Sequence, residues 1–321
     1  MREIGGYIQI EERSGKMLYE DGVKLNSGRN ALAYLLEAKN IKKIMMPKLM
    51  CDSCDAVIKK YNVEKRMYNI NYQFKPIDVE LQENEWLYIV NYYGQLSDDC
   101  IKKMKQKYKR VILDYSQSYF QKPIMGIDTI YSCRKYFGVP DGAILYTDCR
   151  IDRELEIDVS YDRMLPILGR FEENAETFYE QFKKGESNFD SYPLKEMSKL
   201  TKNLLRSIDY TNIKDIRMKN YLFLAQNLKS YNKLKISSTT GLFMYPLYVE
   251  NGEILRKELQ NNKIYTPCLW PNVVSNYGDN TIEGKMSRNI VPLPIDQRYN
   301  LDDMDYIVHK IKEIYKTEFL K

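Results

Sequence analysis

Five short apolar runs alternate with helix-patterned segments, and this alternation constrains the fold more than any other feature. The runs are Ile44–Pro47, Val63–Tyr68, Trp86–Val90, Val111–Asp114 and Ile127–Tyr131. Helical spacing occupies Ala31–Ala38, Asp52–Tyr61 and Asp98–Tyr108 between them. Strands of four to six residues separated by helices are the pattern of an α/β layer with a largely parallel sheet. In such sheets a ligand binds beyond the carboxyl ends of the strands. Pro47, Tyr93-Gly94, Asp114 to Gln117 and Ser132 to Lys135 all follow strand ends and should therefore converge.

The most informative of these stretches is 111–142, VILDYSQSYFQKPIMGIDTIYSCRKYFGVPDG. Its first strand ends on an acid, Asp114. Its second runs into Ser132-Cys133-Arg134-Lys135, followed by Gly138, Pro140 and Gly142. A carboxylate at the end of a buried strand needs a cationic partner. A lysine among aromatics and glycines sits where desolvation favours its neutral amine, as Schiff-base lysines require. One reading is an ion pair between Asp114 and Lys135. The other is the pairing used with pyridoxal phosphate, an acid for the ring nitrogen and a lysine for the aldehyde.

A third signal precedes the first helix. Asn26, Ser27 and Gly28 supply capping groups and a permissive backbone before Ala31–Ala38. Free N–H groups and the helix dipole make such a start either a simple cap or an anion site, to which Arg29 can add a charged contact.

Composition removes several classes. At 321 residues and 44% hydrophobic content the chain is globular and long enough for two domains. The net charge of +5 comes from 49 basic and 44 acidic residues that are interspersed, which argues against nucleic acid as a partner. The lysines of 102–110 read as the solvated face of a helix. No apolar run reaches the roughly 18 residues needed to span a bilayer, and the N-terminal stretch has no signal-peptide core, so a cytoplasmic protein is expected. The six cysteines then read as reduced thiols. Cys51 and Cys54 form a C-x-x-C but lack further ligands at zinc spacing, so they read as core cysteines, with redox or metal chemistry the lesser alternative, and no metal is expected. The single histidine, His309, lies beside Lys310 and Lys312 on a polar C-terminal helix, which disfavours Ser-His or Cys-His catalysis.

Elsewhere, residues 1–24 read as an arm with a strand at Tyr7–Ile10 and a turn at Ser14-Gly15. Residues 151–206 are polar and helical, and 204–215 reads as a connection. A helix over Arg217–Leu228 leads into a second α/β unit with strands at Leu242–Val249, Lys263–Pro267 and Asn289–Leu293, a helix at Glu253–Asn261 and a closing helix at Leu301–Tyr315. The expected domains are 1–210, with the arm and cofactor site, and 211–321.

The segments SGRNAL, LDYSQSYF, YSCRKYFGVPDGA and KIYTPCLW to LPIDQRYNLDDM together resemble the DegT/StrS-type sugar aminotransferases, which are fold-type-I pyridoxal phosphate enzymes. The resemblance spans most of the chain. It implies a three-layer α/β fold with a mostly parallel central sheet, an aspartate-aminotransferase-like large domain and a smaller C-terminal α/β domain. It implies that Lys135 holds pyridoxal 5'-phosphate covalently and shuttles protons, and that Asp114 keeps the pyridinium nitrogen protonated. Gln117 would bond the ring hydroxyl. Ser132 and the backbone of Gly28 and Arg29 would hold the phosphate, and Tyr93 would lie near cofactor or substrate. In the family an aromatic residue commonly covers the ring just after the second strand. The comparable position here is Cys51, beside Leu49 and Met50, and Arg29 replaces the usual threonine of the phosphate turn.

The implied activity is transfer of an amino group from an amino acid, L-glutamate by expectation, to a keto-sugar nucleotide or similar carbonyl acceptor. The setting would be polysaccharide biosynthesis, and the assembly a homodimer. Arg134, Arg288 and Arg298 are candidates to meet the donor carboxylate, each also readable as a surface ion pair. Two other readings remain open: a different pyridoxal phosphate reaction, such as elimination or decarboxylation, and a catalytically altered fold acting as a binding or regulatory module.

Overall fold

The computed structural model describes residues 4–188, 193–237 and 242–319. In chain order the first part contains β1 (Val23–Leu25), α1 (Gly28–Ala38), β2 (Lys43–Pro47), α2 (Asp55–Lys60), β3 (Glu64–Ile70), β4 (Pro76–Ile77), β5 (Glu85–Val90), α3 (Asp98–Tyr108), β6 (Val111–Asp114), β7 (Asp128–Ser132) and β8 (Ala143–Tyr146). A helical stretch follows, with α4 (Leu165–Glu172), α5 (Tyr179–Asn188), α6 (Lys199–Leu205) and α7 (Tyr210–Asn227). The remainder is β9 (Tyr245–Tyr248), α8 (Gly252–Asn261), α9 (Asn272–Tyr277), α10 (Ile282–Asn289), β10 (Ile290–Leu293) and α11 (Leu301–Ile314).

The eight strands β1 to β8 form one sheet in the order β1-β8-β7-β6-β5-β2-β3-β4. The five strands from β7 through β3 are parallel to their neighbours, whereas β8, β1 and β4 are antiparallel. All four residues of β6 are buried, as a central strand covered on both faces requires. α1 packs against β7 and β8, and α10 packs against β3, so helices flank the sheet as expected. The strand order reverses at β2, whose neighbours are β3 and β5. The carboxyl ends of β2 and β5 therefore border the crevice where α/β sheets bind ligands.

Local chemistry sets the helix starts. Ser27 caps α1, accepting from the Asn30 N–H at 3.2 Å, and residues 30–36 of that helix are buried. Ser97 caps α3, which buries Ile101 and leaves its lysines largely in solvent. The second core lies between α7, α8, α11 and the antiparallel pair β9–β10, with Leu224, Leu255, Leu259, Met304 and Ile311 fully buried.

Several sequence expectations need correction. Tyr7–Ile10 is not a strand: Tyr7 is 99% and Ile8 88% exposed, and among the described residues no strand pairs with this segment. Lys263–Pro267 is not a strand either. Lys263 has φ +59°, which ends extended backbone, and among the described residues no strand pairs with it. Residues 204–215 are not a connection but the end of α6 and the start of α7, separated by a break at 206–209. The short antiparallel strands β1 and β8, and helices α9 and α10, were not anticipated.

Gly142 fixes the loop that carries Lys135. Its φ is +119°, and an added Cβ would lie 3.0 Å from Thr201 Cγ2 and 3.3 Å from Cys133 Cβ. Its N–H donates to Asn26 O at 2.7 Å, and its carbonyl accepts from Cys133 N at 3.0 Å, which ties the start of α1 to the loop after β7. Gly142→Ala is expected to lower stability by about 1–3 kcal/mol through backbone strain and crowding, read as a lower urea midpoint at unchanged slope.

Candidate active site

Beyond the carboxyl ends of the parallel strands lies a cavity of about 1270 Å³. Alternation along the strands selects its floor. Val90 of β5, Asp114 of β6 and Ile130 of β7 are paired in register, and all three line the cavity together with Tyr88 and Ser132, two residues away on the same face.

Asp114 is 9% exposed and held from two sides. One carboxylate oxygen accepts from Tyr88 Oη at 2.9 Å, and the other accepts from Ser116 N at 2.7 Å. Burial, and then the Asp114 charge, push the Tyr88 phenol well above its ordinary value, so its hydroxyl stays a donor. Lys135 closes the short turn Cys133–Lys135 after β7. Its Nζ donates to Ser116 Oγ at 2.9 Å and stands 5.9 Å from the centre of the Phe243 ring. Asp114 and Lys135 are therefore not ion-paired with each other; Ser116 stands between them, bonded to both. The lysine is also more exposed than a desolvated amine would be, because it projects into the open cavity.

Gln117 is 3% exposed and lines the same cavity. Its side-chain oxygen accepts from Tyr93 N at 2.9 Å, which leaves its NH2 group as the donor for a ligand. Tyr93 itself is placed differently from the expectation. It is fully buried, sits at φ +52°, packs against Phe74 and Trp270, and is not among the described residues lining the cavity. Its neighbour Tyr92 reaches the cavity instead, donating its hydroxyl to Leu49 O at 2.6 Å. The 3-10 turn Tyr92–Gly94 exchanges the two rings, which alternation along an extended chain does not foresee.

The residues of the candidate anion site also lie on the cavity wall. Ser27, Gly28 and Arg29 at the start of α1 line it with Ser132 and Arg134. A Cβ on Gly28 would meet only Ile130 Cγ2, at 4.0 Å, so the glycine leaves cavity space beside the helix start. Burial, followed by the nearby Arg29 and Arg163 cations, lowers Arg134 to about 10 despite Asp141. Clustered arginines at a helix N-terminus suit a phosphate.

The arginine candidates separate clearly. Arg288 lies outside the cavity and pairs with Glu253 at 3.1 Å and Asp279 at 2.9 Å. Arg298 lines the cavity, with both arms on Asp296 at 2.6 and 2.9 Å. Arg134 lines it and pairs with Glu186 of α5. His309 is exposed on α11 and does not line the cavity.

Tyr88 and Ser116 were missed by sequence reasoning. The signal for Ser116 was its place two residues after an aspartate, where an Asx turn bonds the backbone. For Tyr88 it was its two-residue spacing from Val90, which registers with Asp114.

No family model matches the chain, and no curated protein matches it in sequence. Solved structures do match in shape. NtdA from Bacillus subtilis with bound cofactor PMP is 16% identical, with 92% of this chain and 73% of that chain covered and a TM-score of 0.62. A DegT DnrJ EryC1 StrS aminotransferase from Brucella abortus is 15% identical over 91% of this chain and 85% of that chain, at 0.62. This chain has the fold of the sugar aminotransferases. DesV from S. venezuelae, in complex with a ketimine intermediate, is 14% identical over 91% and 84% of the two chains, at 0.64. The resemblance to DegT/StrS-type enzymes drawn from LDYSQSYF and YSCRKYFGVPDGA is thus borne out in the sugar aminotransferase fold, including its mostly parallel sheet.

Proposed function

We propose that the protein is a pyridoxal-phosphate-dependent aminotransferase acting on a sugar substrate. The observation that carries this reading is one cavity lined by the buried Asp114 carboxylate, the Lys135 amine, the start of α1 with Arg29, and Arg134. Solved sugar aminotransferases of the same fold contain PLP or PMP. When bound, pyridoxal phosphate supplies an electron sink that makes the carbon bearing the amine acidic.

In this reading Asp114 keeps a proton on the ring nitrogen, and Tyr88 and the Ser116 N–H fix the carboxylate for that contact. The Gln117 amide donates to the ring hydroxyl. Ser27, the Gly28 and Arg29 backbone, Ser132 and the Arg29 and Arg134 guanidiniums hold the phosphate. Lys135 Nζ, steered by Ser116 Oγ, takes and returns the proton at the reacting carbon.

The donor is L-glutamate and the acceptor a keto-sugar nucleotide. Arg298 meets the donor carboxylate after leaving Asp296. The rim supports the acceptor: Tyr179, Phe171 and Phe182 offer exposed rings, and Arg170 and Lys184 offer cations, a combination suited to a base and a diphosphate.

The chain divides near residue 210, with units 1–210 and 211–321, because the second core draws its buried residues from 221–314. The assembly is a homodimer, supported by apolar side chains left exposed on the arm (Ile4, Tyr7, Ile8) and on α4 (Leu165, Leu168, Phe171). Among the described residues no helix is long and apolar enough to cross a membrane. A cytoplasmic setting and a role in polysaccharide biosynthesis complete the proposal.

Adding L-glutamate to the PLP-loaded protein should convert the bound cofactor to its amine form, seen as a shift in absorbance with release of 2-oxoglutarate. Absence of both would reject transamination from this donor. Arg29→Ala should weaken PLP binding about ten- to a hundredfold in an absorbance titration, the scale of one charge-assisted contact. Unchanged affinity would reduce Arg29 to a helix-start residue.

A further inference from the structure

The C-x-x-C at residues 51–54 has no part in transamination, yet both cysteines line the cavity as free thiols. Cys51 follows the bend at 48–50 after β2 and is itself extended, with ψ 155°, and Cys54 completes the 3-10 turn Asp52–Cys54 that feeds α2. The two residues thus stand at the ends of one four-residue turn. Such a turn keeps Cα atoms within about 7 Å, overlapping the window of about 4.4–6.8 Å that admits a disulfide. Their access differs. Cys51 is exposed, with Sγ 2.8 Å from Ser53 Oγ, and Cys54 is 8% exposed. Burial pushes the Cys54 thiol up, with Cys51 the next contributor, and Arg29 opposes the shift. An accessible sulfur and a protected one, separated by a single turn, form an attacking and a resolving pair.

We propose that Cys51 and Cys54 are a redox-active dithiol in the wall of the active-site cavity, oxidised by a low-molecular-weight disulfide such as oxidised glutathione. The Cys51 thiolate attacks one sulfur of the reagent. The reagent's S–S bond breaks, glutathione leaves as its thiolate, and Cys51 carries a mixed disulfide. Cys54 gives its proton to solvent and attacks the Cys51 sulfur. The bond from Cys51 to glutathione breaks, and a second glutathione leaves and is protonated. Two protein thiols are oxidised and one disulfide is reduced to two thiols, so the exchange balances without a metal or another oxidant. Cofactor bound against Leu49, Met50 and Cys51 shields Cys51 and slows the first step; this last point rests on the proposed cofactor site.

The test uses the full chain, reduced, freed of reductant, treated with oxidised glutathione, alkylated and mapped by peptide mass spectrometry. Cys268 is also exposed and serves as the accessibility control. The wild type should yield a Cys51–Cys54 linked peptide. Cys54→Ser should accumulate glutathione on Cys51, and Cys51→Ser should leave Cys54 unmodified. Glutathione that persists on wild-type Cys51 beside a free Cys54 would overturn the proposal, as would an unreacted pair in protein whose Cys268 is modified. PLP-loaded protein should react several-fold more slowly at Cys51 but not at Cys268. Equal rates would remove the cofactor from that wall and leave the dithiol standing.

Discussion

Lys135→Ala should yield a folded protein that no longer holds pyridoxal phosphate covalently and has lost turnover by at least about three orders of magnitude, as expected when one residue is both covalent anchor and acid–base catalyst. The side chain is exposed and, among the described residues, makes one hydrogen bond, to Ser116 Oγ, so its removal opens no void in the core. The thermal midpoint should therefore stay close to wild type. Borohydride reduction of the PLP-loaded wild type should fix the cofactor to the peptide containing Lys135. The variant should show neither the visible absorption of lysine-bound cofactor nor the added mass. If borohydride labels a different lysine, the assignment of Lys135 fails. If the wild type takes up no cofactor at all, every pyridoxal phosphate reading of this fold fails.

Asp114→Asn should separate binding from chemistry. Asparagine can still accept from Ser116 N through its oxygen and donate to Tyr88 Oη, so both present contacts have replacements and the fold should persist. Lys135 is not ion-paired with Asp114, so covalent capture of the cofactor should survive. What disappears is the negative charge that keeps the ring nitrogen protonated. Turnover should drop by about two to three orders of magnitude, the scale for losing one preorganised electrostatic partner. Rapid-scan absorbance after mixing with glutamate would show cofactor present but converted slowly. Wild-type rates in Asp114→Asn would remove residue 114 from the chemistry. The same rates in Tyr88→Phe would show only that Ser116 suffices to orient the carboxylate.

These two residues also show where linear information ends. Asp114 and Lys135 were legible because each follows a short apolar run, and parallel strands deliver their carboxyl ends to one edge of the sheet. That rule depends on chain order alone and brought Ser132 and Gln117 to the same cavity. It did not place Tyr93, because the turn after β5 leaves the extended conformation and exchanges it with Tyr92. Nor did it resolve the relation between Asp114 and Lys135. An ion pair and a divided site have the same residues at the same spacing, and Ser116 decides between them in three dimensions, its N–H donating to Asp114 and its Oγ accepting from Lys135.

The alternation of apolar strands and amphipathic helices by itself determined the α/β class, the edge at which the site lies and the capped start of α1, because periodicity and capping act over a few residues. Tertiary structure decided the rest. Antiparallel β1 and β8 are only three and four residues long and exist because a sheet edge offers them hydrogen bonds. Lys263–Pro267 carries strand-forming residues but meets no such edge and stays irregular. The grouping of Arg29 with Arg134, and the placing of the local Cys51–Cys54 turn beside the same cavity, follow from packing between distant segments, which no local pattern encodes.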